Sequence, residues 1–180
     1  LLSLPIASRN GEGIPWINAV FTSASASCVT GLTVYDTATQ FSAFGQVVLL
    51  LLIQIGGLGF VTASLPAALL VRRRVGLRQR ALLQDSLGAL QLGGVVRLAR
   101  RALLVTFACE GLGAALLTLW FCPRYGLGRG LWMAVFHAVS AFCNAGFDLL
   151  GTGASITSVA GEPLLNLVFM ALIICGGLGF

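Results

Sequence analysis

Ala43 to Val71 is a run of 29 successive residues without a charged side chain. As a helix rising ~1.5 Å per residue, that run outreaches the ~30 Å hydrocarbon core of a bilayer. It predicts a spanning helix that tilts or protrudes, with Pro66 near its basic end as a kink point. The whole chain keeps this character: it is 57% hydrophobic and 9% charged, with a mean hydropathy of +0.94. Soluble domains are about a quarter charged. An ordinary soluble protein, a disordered chain and a secreted disulfide scaffold are therefore excluded, which leaves an all-α, multi-pass membrane protein. Ala102 to Phe121, interrupted by Glu110, reads as a second span, and Pro163 to Phe180 as a third apolar run. The chain opens at Leu1 rather than Met and stops inside an apolar run, so the expectation is an internal fragment.

Net charge is +5, and all eleven basic residues are arginine. Eight of them, Arg72, Arg73, Arg74, Arg78, Arg80, Arg97, Arg100 and Arg101, share residues 72–101 with one acid, Asp85. Such a patch can serve nucleic acid, but it lacks interleaved aromatics and lies between apolar runs. It reads as a cytoplasmic connector under the positive-inside rule, able to bind anionic lipid, with no nucleic-acid partner. Leu77 to Leu90 suits a helix lying on the membrane surface. The five cysteines, Cys28, Cys109, Cys122, Cys143 and Cys175, form no C-x-x-C pair and read as packed free thiols.

Two shorter apolar segments stand apart from the spans. Trp16 to Ser27, preceded by Pro15, is a helix of twelve residues, about 18 Å long and too short to cross. Leu131 to Phe142 is its counterpart. Setting Gly31 on Gly146 gives an offset of 115, at which residues 19–31 and 134–146 are identical at seven of thirteen positions. GGLGF then recurs, at Gly56 to Phe60 and Gly176 to Phe180. Two ordered matches point to duplication. The first repeat is 1–71: the end of a helix at Leu1 to Ile6, a pore helix over 16–27, a turn at 28–32 and a second helix over 43–71. The connector is 72–101. The second repeat is 102–180: a helix over 102–121, a pore helix over 131–142, a turn at 143–147 and a helix from 163.

Non-helical backbone inside a bilayer is tolerated where protein or a water-filled cavity satisfies it. A half-helix ending in a glycine turn offers a cation two things: the negative end of the helix dipole and backbone carbonyls that replace its hydration shell. Cys28, Val29, Thr30 and Gly31 form one such turn, and Cys143, Asn144, Ala145 and Gly146 the other. Asp36 and Asp148 follow on the outer side, where they can concentrate cations.

SASASCVTGLTVYDTATQFSAFGQ followed by LLLLIQIGGLGF resembles the first pore repeat of the Trk/Ktr/HKT potassium transporters. AVFHAVSAFCNAGFDLLG followed by IICGGLGF resembles their second. The bacterial Ktr and Trk membrane subunits are the nearest match. The resemblance implies a potassium-channel-like fold of four repeats around one pore, with Gly31 and Gly146 as filter glycines and residues 28–31 and 143–146 as filter strands. It implies potassium as the transported ion, with sodium as the alternative cargo; glycine rather than serine at position 31 favours potassium. It also implies a cytosolic nucleotide-binding regulatory subunit, a homodimer of the full-length chain, and a cell-membrane location. Only two of the four repeats are present, and the third, which carries the family's gating loop, is not.

Plainer readings stand beside these. Gly56, Gly57 and Gly59, and Gly176, Gly177 and Gly179, suit close helix packing. Glu110 is either a functional group in mid-span or a hydrogen-bonded packing residue. His137 reads as a packed side chain, since no second histidine exists to build a metal site. A non-conducting scaffold is the alternative to a transporter, and no paired catalytic constellation supports an enzyme. The charge pattern sets a topology. On intact cells making the full-length protein, a membrane-impermeant thiol reagent is expected to label Cys122 and not a cysteine introduced at Gln79. Labelling at position 79 alone would reverse the orientation and put Asp36 and Asp148 on the inner face.

Overall fold

The computed structural model describes residues 1–59, 92–151 and 155–178, with side chains omitted for 92–99. The surface helix expected over Leu77 to Leu90, Pro66, most of the arginine cluster and the last two residues of the second GGLGF lie outside the described residues. Six α-helices are described: α1 (Trp16–Ser27), α2 (Thr37–Gln40), α3 (Ala43–Gly57), α4 (Leu92–Tyr125), α5 (Leu127–Phe142) and α6 (Pro163–Gly177). Two short 3-10 turns, Pro5–Ala7 and Ser155–Val159, complete them.

Local chemistry sets the helix ends. α3 starts where the Ser42 hydroxyl accepts the Gly45 N–H at 3.3 Å and donates to the Ile6 carbonyl at 2.6 Å, an N-cap that also ties down the preceding segment. Residues 60–71 of the helix expected over 43–71 lie outside the described residues. α3 stops at Gly57, and Gly59 takes a φ of +73°, a left-handed conformation that glycine adopts without a Cβ penalty. α4 is longer than the expected 102–121 at both ends, so residues 92–101 of the connector are helical. Arginine is a good helix former, and the Arg100 and Arg101 side chains stay exposed. At its far end α4 runs through Pro123 to Tyr125, because Gly126 alone, at φ +81°, separates it from α5. The GLGRG stretch, between the helices expected over 102–121 and 131–142, is therefore mostly helix, and α5 begins four residues before the predicted Leu131. Leu1 to Ile6 holds only the Pro5–Ala7 turn in place of a helix end.

α5 is the centre of the packing. It lies against α4, α6 and α3, whereas the main partner of α1 is α3. The core accordingly gathers around Met133, Phe136 and His137 on α5, with Phe121 and Leu117 from α4, Leu165 from α6 and Leu49 and Ile53 from α3. Arg124, at the end of α4, stacks its guanidinium 4.1 Å above the Trp120 ring and pairs with Glu162 at 3.0 Å, just before α6. Many large apolar side chains point outward, among them Ile17, Phe107, Leu119 and Leu167, as expected of a lipid-facing surface. Among the described residues, one helical segment, Arg100–Tyr125, is long and apolar enough to cross a membrane.

Small residues allow the closest approaches. A Cβ at Gly56 would collide with the Ser27 carbonyl, and one at Gly176 with the Phe142 carbonyl. The first glycine of each GGLGF thus lets α3 press against Ser27 at the end of α1, and α6 against Phe142 at the end of α5. Gly56→Ala and Gly176→Ala are each expected to cost about 1–3 kcal/mol. The check is the thermal unfolding midpoint of the detergent-purified full-length protein; unchanged midpoints for both would refute the close approach.

Candidate functional site

α1 and α5 end in the same backbone motif. In α1 the Thr30 N–H donates to the Ser25 carbonyl at 2.9 Å and the Val29 N–H to Ala26 at 3.3 Å. In α5 the Ala145 N–H donates to Ser140 at 2.8 Å and the Asn144 N–H to Ala141 at 3.1 Å. These are the paired 6→1 and 5→2 bonds of a Schellman cap, with Val29 and Asn144 in the left-handed position. Their φ values are +56° and +59°. Asparagine accepts that conformation readily, but a β-branched valine there is strained by an amount on the order of 1–3 kcal/mol. The first turn compensates with a side-chain bond, from the Thr30 hydroxyl to the Ser25 hydroxyl at 2.9 Å.

Gly31 and Gly146 come two residues later, with φ of +73° and +74°. Cys28 and Cys143 are right-handed, so each turn contains residues of both hands. The two turns also meet. A Cβ built on Gly31 would lie 2.5 Å from the Ala145 carbonyl oxygen and 3.4 Å from Cα of Gly146; one on Gly146 would lie 3.6 Å from Cα of Gly31. Residues 115 apart in sequence are thus side by side, with the negative ends of two helices directed at them. Among the described residues, no hydrogen bond reaches the carbonyl oxygens of residues 28–31 or 143–146. Carbonyls left without partners at the end of a helix are available to a cation.

The turns are braced from behind. The Ser140 hydroxyl donates to the Phe147 carbonyl at 2.7 Å. Asn144 Nδ2 reaches the Ile173 carbonyl of α6 at 3.5 Å. Gly57 makes room for Cys143, whose Sγ would meet any Cβ there. Glu110, buried in α4, accepts from Gln54 Nε2 of α3 at 3.0 Å and from the Cys143 thiol at 3.9 Å. It therefore links the second helix of the first repeat to the start of the second turn. Asp36 and Asp148 do local work. Asp36 caps α2 through the N–H groups of Ala38 and Thr39, at 2.9 and 3.0 Å, and Asp148 accepts the Leu150 N–H at 3.0 Å. The structure brings the two glycine turns together, and these aspartate bonds are made within their own loops. Sequence reasoning missed Gln54; an amide deep within an uncharged apolar run was its signal.

Residues 3–180 match the TrkH family, described as cation transport proteins. The chain belongs to that family. It is 44% identical to the Ktr system potassium uptake protein B of Bacillus subtilis (strain 168), across all of this chain and 40% of the relative. Identity is 41% to the potassium/sodium uptake protein NtpJ of Enterococcus hirae, with the same coverage. The Ktr system potassium uptake protein B of Vibrio alginolyticus is 38% identical, across all of this chain and 39% of its own. The chain thus spans about two fifths of the length of these relatives. Membership in the TrkH family makes it part of a membrane protein, in keeping with its composition.

Within this TrkH-family chain Glu110 joins the two repeats. Glu110→Ala leaves the Gln54 amide without its acceptor and is expected to cost about 1–3 kcal/mol, whereas Glu110→Gln keeps an acceptor oxygen and costs less. Thermal unfolding of the two variants side by side is the check; equal losses would mean that the carboxylate charge, not the hydrogen bond, is what matters.

Proposed function

We propose that this chain supplies two filter-bearing repeats of a potassium uptake pore, residues 1–71 and 102–180, joined by the basic connector on the cytoplasmic side. The observation that carries the reading is the meeting of the Gly31 and Gly146 turns at the negative ends of α1 and α5. Carbonyls of residues 28–31 and 143–146 replace water around a dehydrated potassium ion on two sides of the path. Asp36 and Asp148, on the outer side of the turns, raise the local cation concentration at the mouth. No covalent step is needed; the ion moves down its electrochemical gradient. In the full-length protein further repeats close the ring, two copies form a homodimer, and a cytosolic nucleotide-binding subunit controls flux. The names of two relatives, which place them in a Ktr system, support a multi-component assembly. Sodium is the second cargo to test, because one similar relative is named for both ions.

The experiment is cation uptake by potassium-uptake-deficient cells making the full-length chain. Gly31→Ser drives a Cβ against the Ala145 carbonyl and adds an oxygen to the path; Gly146→Ser strains the matching φ. Both are expected to lower the potassium-to-sodium uptake ratio at matched expression, a tenfold fall corresponding to ~1.4 kcal/mol of lost discrimination. If both variants keep the parent's ratio, the glycine turns are not the selectivity site.

A further inference from the structure

His137 lies on α5, 1% exposed, and both ring nitrogens are engaged. Nδ1 is 2.7 Å from the Met133 carbonyl, one helical turn back. Nε2 is 3.2 Å from the backbone N–H of Leu149. A carbonyl only accepts and an amide N–H only donates. Nδ1 therefore carries the proton and Nε2 offers its lone pair, which defines a neutral ring of one tautomer. Aromatic neighbours from three helices hold its plane. Phe121 of α4 stacks on it at 5.0 Å between centroids and 17° between planes, Phe136 of α5 meets it edge-on, and Phe169 of α6 is tilted against it at 6.1 Å.

Leu149 is three residues beyond Gly146, on the limb that leaves the second turn. Ser140 holds the same limb at Phe147. The pore helix thus grips this limb twice, through side chains three residues apart on one face. The first repeat does this differently. At the 115 offset the position of His137 is taken by Thr22, whose hydroxyl donates to the Asn18 carbonyl at 2.8 Å. Thr22 reproduces the bond to its own helix and has no second arm. The outgoing limb is held instead by Asn18 Nδ2 donating to the Tyr35 hydroxyl at 2.8 Å, side chain to side chain.

We propose that His137 is a positioning residue for ion selection: its Nε2 lone pair captures the Leu149 N–H and thereby fixes where the Gly146 carbonyl stands in the path. The inference rests on the glycine turns being the filter. It assigns the second repeat a backbone-anchored limb and the first a side-chain-anchored one, so equivalent substitutions in the two repeats have unequal effects.

The test uses the full-length chain in the uptake assay, at matched expression, with Gly146→Ser and Gly31→Ser run in parallel. His137→Phe keeps ring volume and stacking and loses both hydrogen bonds. His137→Gln places an amide oxygen where Nε2 was. His137→Asn keeps a polar group near Nδ1 but is too short to reach Leu149. The potassium-to-sodium ratio is expected to fall about fivefold, the scale of one lost hydrogen bond, in the Phe and Asn variants and to stay within about twofold of the parent in the Gln variant. Thr22→Val, with no second arm to lose, is expected to keep the parent's ratio. Equal ratios in the parent, Phe and Asn proteins, or a fall in Gln as deep as in Asn, overturn the proposal; the Asn–Gln comparison decides it if the Phe variant does not reach the membrane. Parent-like ratios in both Gly146→Ser and Gly31→Ser instead refute the filter reading itself.

Discussion

A backbone carbonyl inside a bilayer has no water to bond to, and the organisation of this chain follows from how its carbonyls are handled. In helices they are consumed in the helix. At the ends of α1 and α5 the Schellman bonds satisfy those of residues 25, 26, 140 and 141, Asn144 Nδ2 reaches that of Phe142 at 3.4 Å, and among the described residues those of 28–31 and 143–146 are left for another partner. A solvated loop would face no such demand. The same constraint accounts for the left-handed Val29, Asn144, Gly31 and Gly146, since only these conformations turn the chain back within so short a distance of the helix end.

Holding two such turns together needs close packing rather than many polar contacts. Gly56 and Gly176 let α3 and α6 touch the last carbonyls of α1 and α5, and Gly57 admits Cys143. A methyl group at any of these positions would separate the elements. Polar side chains then lock the arrangement: Glu110 spans from Gln54 to Cys143, and His137 spans from Met133 to Leu149. Each is buried, and a buried polar group costs little only when its hydrogen bonds are made, so each favours one geometry over its neighbours.

The two repeats are alike in backbone and unlike in support. α5 is enclosed by α3, α4 and α6, while α1 leans mainly on α3. The second turn carries the bonds from Ser140, His137 and Glu110; the first relies on Ser25 with Thr30 and on Asn18 with Tyr35. The caps are the same in both, where backbone geometry leaves few options, while the braces differ.

Much of the site was legible in the residues. The uncharged runs, the short helix over 16–27, the 115-residue offset and the glycine turns all follow from local pattern, because hydropathy and turn chemistry act over a few residues. Helix ends were less legible. GLGRG carries a loop's composition, yet Gly130 packs against the backbone of Phe121 and Cys122, and that contact holds the segment in α5. The helix over 43–71 read as continuous because nothing in its hydropathy marks the left-handed Gly59. The partners of Glu110 and His137 were out of reach, since Gln54 lies 56 residues from Glu110 and Leu149 on a limb whose path only packing sets. The sequence by itself determined that two short apolar helices end in glycine turns, because those are consequences of nearest neighbours. Only the tertiary structure decided that the turns face each other and which side chains hold them there, because that depends on how closely whole helices can approach.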